Sequence, residues 1–209
     1  MSYTVEQIVN TSPVIPVIVV DELSQAAPLA QALFNGGLKV LEITLRTPVA
    51  LEAMKLMKAA VPEAIVGAGT IVSPEDVTAA VEAGADFLVS PGATDVMIDA
   101  VQAANIPMLP GVSTPSEAMH LSSRGFSFLK FFPAEAAGGV AMLKSIGGPL
   151  AKLRFCPTGG INLAKAPEYL ALPNVVCIGG TWMIPKPLVE AGDWAAIEEL
   201  AREAASLAR

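Results

Sequence analysis

Short runs of β-branched and apolar residues recur along the 209-residue chain at intervals of roughly twenty to thirty residues, the spacing of strand–helix units rather than of hairpins. Eight such runs are present, at residues 14–20, 40–45, 64–68, 87–90, 107–109, 127–131, 153–156 and 175–178. Between them apolar residues fall at helical spacing, as at Leu51, Met54, Leu56 and Met57, or at Val77, Ala80 and Val81. Thr47-Pro48, Ser73-Pro74 and Thr114-Pro115 each read as a hydroxyl N-cap followed by proline at the first helical position. Asp76 and Glu117 stand three residues after their caps, Glu117 completing a capping box. Glycines at Gly36-Gly37, Gly84 and Gly125 mark the turns back toward the next strand.

No low-complexity linker interrupts this alternation, so residues 1–209 are expected to form a single domain. Eight strand–helix units without an antiparallel signal predict an α/β chain folded as a closed (β/α)8 TIM barrel, with a doubly wound open sheet as runner-up. Val5, Ile8 and Val9 predict a short N-terminal helix plugging one end. Residues 193–209 predict a final helix whose Glu198, Glu199 and Arg202 form a solvated face.

Composition narrows the partners. Hydrophobic residues make up 53% of the chain and charged ones 16%, which suits parallel strands covered on both faces, and a subunit interface would add to the excess. A formal net charge of -7 with no run of Lys or Arg argues against nucleic acid and anionic membrane, leaving small soluble ligands. Cys156 and Cys177 are far apart and His120 is the single histidine, so neither a metal cage nor a disulfide framework is expected. No basic segment leads into an apolar one at the N-terminus, and no apolar stretch is long enough to span a bilayer, so the cytoplasm is the expected compartment.

Lys130 stands inside the most apolar stretch, Phe126-Ser127-Phe128-Leu129-Lys130-Phe131-Phe132-Pro133. Period two puts Phe128, Lys130 and Phe132 on one face and Leu129 and Phe131 on the other. Desolvation among aromatic rings favours a neutral amine, and a neutral amine can attack a carbonyl to form a Schiff base. A structural ion pair, or a side chain snorkelling past phenylalanine, would also account for this lysine.

The second run, Val40-Leu41-Glu42-Ile43-Thr44-Leu45-Arg46, sets Glu42, Thr44 and Arg46 on one face and Leu41, Ile43 and Leu45 on the other. The apolar face suits the helix layer, which turns the polar face inward. Arg46 offers a planar fork for a carboxylate and Glu42 a group for proton transfer, although the two could equally be a structural pair. Thr158-Gly159-Gly160 and Gly179-Gly180-Thr181 follow the last two strands, where such barrels bind phosphate on backbone amides. Thr70 ends the third strand, as a carboxylate contact or a turn cap, and Pro91 closes the fourth. Glu135 reads as a helix-start charge, and His120 is given no role.

These stretches resemble the 2-keto-3-deoxy-6-phosphogluconate (KDPG) aldolases, bacterial class I enzymes that often also cleave 4-hydroxy-2-oxoglutarate (KHG). The resemblance rests on VLEITLRTP around Glu42 and Arg46, IVGAGT ending at Thr70, SPG at Ser90 to Gly92, LKFFPAE around Lys130, RFCPTGGI and CIGGTW, spanning nearly the whole chain in order. It implies a homotrimeric barrel lyase of the Entner-Doudoroff pathway, needing no cofactor. Lys130 would form the Schiff base and Glu42 would handle the proton transfers. Arg46 and Thr70 would hold the pyruvate carboxylate, Phe132 would pack beside the imine, and Thr158 would contact the substrate chain, with Pro91 counted among the substrate-binding positions. Gly159, Gly160, Gly180 and Thr181 would form the phosphate pocket. Thr181 departs from the family's usual serine but keeps the hydroxyl. A phosphate-sugar isomerase or epimerase on the same barrel is the alternative, with Glu42 as base and Lys130 as an electrostatic contact; a non-catalytic phosphate binder is the third reading.

Overall fold

The computed structural model describes residues 3–208; Met1, Ser2 and Arg209 lie outside the described residues. Its strands are β1 (Val14–Ile18), β2 (Val40–Thr44), β3 (Ile65–Gly69), β4 (Leu88–Val89), β5 (Met108–Leu109), β6 (Gly111–Val112), β7 (Phe128–Phe131), β8 (Arg154–Pro157) and β9 (Ile178–Gly180). The helices are α1 (Val5–Thr11), α2 (Leu23–Asn35), α3 (Ala50–Ala60), α4 (Pro74–Glu82), α5 (Asp95–Ala104), α6 (Pro115–Ser123), α7 (Gly139–Gly147), α8 (Ala166–Leu170), α9 (Lys186–Ala191) and α10 (Trp194–Ala205). The fold is α/β with parallel pairing throughout. One sheet runs β5-β4-β3-β2-β1-β9 and the other β6-β7-β8.

The fifth run forms β5, and a further short strand that the sequence did not predict, β6, follows it after Pro110. Pro110, between β5 and β6, has no N–H for the ladder, yet its carbonyl still accepts from the Lys130 N–H at 2.9 Å. Across the other gap, isolated bridges pair Phe155 with Val175 and Thr158 with Gly179. The eighth run is displaced: Val175 makes only that bridge, and the strand proper reaches Gly180.

Strand alternation builds two apolar layers. Val14, Ile18, Leu41, Ile43, Val66, Ala68, Leu129 and Phe131 face the helices in the larger cluster. Ile15, Val40, Ile65, Phe87, Val89 and Leu109 face the other way in a smaller one. Ile8 and Val9 of α1 close that inner cluster, as the sequence suggested, and Cys156 and Cys177 are buried within it. The outer helices dock closely; a methyl at Gly36 would lie 2.6 Å from the Glu198 carbonyl oxygen of α10.

Ser73 and Thr114 cap α4 and α6 as expected, and Asp76 completes a capping box as fully as Glu117 does. Thr47 does not cap α3, whose N-cap is Val49; its hydroxyl donates instead to the Val20 carbonyl at 2.6 Å. Leu56 and Val81 point outward, 37% and 40% exposed, so their helices bury narrower stripes than the spacing suggested. The last helix ends at Ala205, short of the expected 209. No helix among the described residues is long and apolar enough to cross a membrane.

Candidate active site

The inward positions change character along the strands. On β2 the order is Val40 then Glu42; on β7 it is Phe128 then Lys130; on β3 it is Ile65, then Gly67 and Gly69. Lys130 and Glu42 come from opposite sheets and meet, Nζ 3.3 Å from Oε1, with side chains only 5% and 4% exposed. The Phe132 ring centroid is 5.3 Å from Nζ, so the amine also rests against an aromatic face. Phe132 leads into a cis peptide to Pro133.

Small residues make room for this pair. A methyl at Gly69 would lie 2.7 Å from Glu42 Cγ and 2.9 Å from Cδ, and closer still to Oε1. Gly111, the ladder partner of Lys130, lies hard against Pro91; a methyl there would approach the Gly92 nitrogen to 2.7 Å. Buried Ser90 accepts the Gly111 N–H at 3.3 Å, fixing the turn that carries Pro91.

Arg46 and Thr70 form a second group just beyond β2 and β3. Arg46 Nε donates to Thr70 Oγ1 at 3.0 Å. Thr70 has φ 62, a left-handed conformation that costs a β-branched residue about 1–3 kcal/mol and that gathers at functional sites. Thr44, inward on the same strand as Glu42, is spent on structure: its hydroxyl donates to the Ile18 carbonyl at 2.9 Å.

The glycine pairs lie side by side through the Thr158–Gly179 bridge. Gly159 and Gly160 have φ 108 and 77, which favour glycine by backbone conformation. Gly179 and Gly180 are required by close approach, to the Thr158 side chain and the Trp182 ring. Thr181 is exposed and lines a cavity of about 340 Å³ with Val17, Val19, Asp21 and Lys186. Val17 is the ladder partner of Glu42 and escaped the sequence reading, because an apolar residue inside an apolar run carries no signal.

Thus Lys130, Glu42 and Phe132 form one contact group, Arg46 and Thr70 a second, and Thr158 with the glycine loops a third; the last two lie at or just beyond C-terminal strand ends, and Lys130 and Glu42 one and two residues before theirs. His120 stands apart, half exposed, its Nε2 2.8 Å from Asp95 Oδ1. Glu135 is not a helix-start charge: α7 begins at Gly139, and the carboxylate instead accepts from Lys165 Nζ and the Tyr169 hydroxyl. Those two hydrogen bonds, Lys165 foremost, hold its carboxyl below the usual carboxylate range. Burial, and then Glu135, push the Tyr169 phenol up.

A family profile described as KDPG and KHG aldolase matches residues 5–200 of the chain, a span that holds the lysine, the glutamate, the arginine and both glycine loops. The chain belongs to the KDPG and KHG aldolase family. It is therefore a lyase. The KHG/KDPG aldolase of Escherichia coli K12 is 51% identical over 199 residues, covering 95% of this chain and 93% of that one. The 2-dehydro-3-deoxy-phosphogluconate aldolase of Dickeya dadantii is 50% identical with the same coverage. A crystal structure of the Legionella pneumophila KDPG aldolase, with pyruvate captured at low pH as a covalent carbinolamine, superimposes with a TM-score of 0.94. It is 48% identical and covers 96% of this chain and 97% of its own.

Proposed function

We propose that this chain reversibly cleaves 2-dehydro-3-deoxy-6-phosphogluconate to pyruvate and glyceraldehyde 3-phosphate, and 4-hydroxy-2-oxoglutarate to pyruvate and glyoxylate, through a Schiff base on Lys130. The buried Lys130–Glu42 contact carries this reading, because it sets a nucleophile and a proton carrier within reach of one another. The covalent pyruvate in the Legionella relative supports the same chemistry.

Glu42 takes a proton from the Lys130 ammonium, the freed amine adds to the C2 carbonyl, and the carbinolamine hydroxyl takes that proton and leaves as water to give a protonated imine. Glu42, by its own oxygen or through a water, takes the proton of the C4 hydroxyl. The C3–C4 bond then breaks, its electron pair moving into the imine to leave an enamine, while C4 departs as the aldehyde. Protonation of the enamine at C3 and hydrolysis of the imine release pyruvate and restore the amine. Arg46 and Thr70 hold the pyruvate carboxylate, and the strained Thr70 backbone keeps its hydroxyl on the guanidinium. Phe132 and Pro91 wall the imine. Thr158 meets the sugar chain, and Gly159, Gly160, Gly180 and Thr181 receive the phosphate.

We also read the chain as one domain in which the two sheets close into a (β/α)8 barrel. The Pro110 carbonyl supports one seam and the two isolated bridges support the other. A cytoplasmic homotrimer fits the apolar composition, and light scattering after gel filtration tests the assembly. The isomerase or epimerase alternative finds no support, since the relatives named above are aldolases.

Borohydride reduction in the presence of pyruvate, followed by peptide mass analysis, tests the mechanism. An adduct is expected on the peptide containing Lys130; its absence there would remove the Schiff-base role.

A further inference from the structure

We propose that Glu135 is a positioning residue for the phosphorylated end of the substrate: it holds the Thr158-Gly159-Gly160 loop in its binding shape and takes no part in the chemistry at Lys130. The proposal rests on the aldolase reading above.

The turn after β7 is stitched to this loop by its backbone. Ala134 N–H donates to the Thr158 carbonyl at 2.8 Å and Glu135 N–H to the Gly159 carbonyl at 3.1 Å. The Glu135 side chain then lies directly over Gly160, where an added methyl would meet Cγ at 2.8 Å and Cβ at 2.9 Å. Its carboxylate continues to α8, accepting from Tyr169 and from Lys165 next to that helix. One side chain therefore joins the end of the lysine strand, the loop after β8 and the helix after that loop.

The two donors are unequal. Tyr169 is 1% exposed, so without Glu135 its hydroxyl would be buried without an acceptor. Lys165 has a side chain 47% exposed, and an ion pair so open to water contributes little whatever its geometry. Loop position accordingly depends on Glu135 and Tyr169, with Lys165 as an outer contact. Two adjacent glycines at positive φ make the loop backbone permissive, which is why an external clamp is needed to hold its amides in one arrangement.

The test compares 2-keto-3-deoxy-6-phosphogluconate with its unphosphorylated counterpart, 2-keto-3-deoxygluconate, in the full-length enzyme. In Glu135→Ala and Tyr169→Phe, KM for the phosphorylated substrate should rise about tenfold with kcat retained, the loss expected when a hydrogen-bonded positioning contact is removed. For the unphosphorylated substrate kcat/KM should stay within about twofold, since it has no distal phosphate contact to lose and Thr158, which meets the sugar chain, is held by backbone bonds to Phe131 and Ala134 rather than by the Glu135 side chain. Glu135→Gln, which keeps the side-chain shape over Gly160 and a partner for Tyr169, should recover most of the phosphate preference, and Lys165→Met should retain it. Equal losses on both substrates, or no change on either, would overturn the positioning role. A wild-type enzyme that turned over neither substrate and gave no borohydride adduct at Lys130 would overturn the aldolase reading and this role together.

Discussion

Gly69→Ala perturbs the Lys130–Glu42 contact without altering either residue. The added methyl would lie 2.7 Å from Glu42 Cγ and 2.9 Å from Cδ, and nearest of all to Oε1, the oxygen that faces Lys130. Ordinary contact between such atoms is about 3.5 Å, so the carboxylate must retreat by about 1 Å. Rotation of the carboxylate alone cannot relieve the overlap, because Cγ is also too close. The side chain must change rotamer, or β2 and β3 must part at Thr44–Gly69, their last ladder pair. Forcing a methyl into such packing costs about 1–3 kcal/mol of stability. A melting point lower by about 2–4 °C per kcal/mol follows for a domain of this size. The catalytic loss is larger: a misplacement of about 1 Å can cost on the order of 10²-fold in turnover.

Two assays separate the steps. Exchange of the pyruvate methyl protons into heavy water, followed by NMR, reports proton transfer and should fall together with aldol cleavage. Borohydride trapping at long times should still label Lys130, since the three atoms nearest the methyl all belong to Glu42. Gly148→Ala, where an added methyl meets nothing within 4 Å, serves as the control. Wild-type exchange in folded Gly69→Ala would refute the claim that Glu42 must stand at this position.

Lys130→Met should abolish turnover and leave Glu42 buried without its cation; the double variant Lys130→Met/Glu42→Gln should therefore melt above the single one, by about 3 kcal/mol in denaturant titrations. Glu117, held below the carboxyl value of 4.5 first by the Ser113 N–H, contributes stability that is present above that pH and lost as pH falls through its folded value. The melting gap between wild type and Glu117→Gln should thus be widest near neutrality and shrink under acid. Gly180→Ala would set a methyl 2.9 Å from one Trp182 ring carbon and nearer to others, so a melting point several degrees lower is expected, with turnover of the phosphorylated substrate suffering most.

The strands were legible because buried parallel strands read as uninterrupted apolar runs, and a charge inside such a run is conspicuous. Lys130 and Glu42 were found for that reason, and alternation turned Glu42 inward and set Lys130 on one face with Phe128 and Phe132. Their contact was not legible: 88 residues separate them, and only the arrangement of the two sheets brings them together. Local rules failed where a distant group supplied a better partner. Thr47 has the sequence of a cap, but the Val20 carbonyl lies within reach. Glu135 follows a strand as a helix-start acid would, yet α7 starts later and Tyr169, 34 residues on, supplies its hydrogen bond. The alternation Ile65, Gly67, Gly69 was the one unused clue, since glycine at period two in a strand marks a face that something large approaches. Those large groups are Phe87 against Gly67 and Glu42 against Gly69.

The same alternation explains how the fold tolerates an ion pair that is costly to desolvate. β2, β3 and β7 each present an apolar residue inward first, Val40, Ile65 or Phe128, and a polar or small one nearer the C-terminal end. The first level packs on α1 and joins the apolar cluster that anchors the strands. The second level then needs only to be accurate, since a buried Lys–Glu pair with its desolvation cost contributes little net stability. Positioning is supplied by neighbours that do no chemistry: Gly69 and Gly111 by leaving space, Ser90 by fixing the Pro91 turn, Glu135 by holding the glycine loop. Residues of this kind are where a sequence can change selectivity without touching its nucleophile.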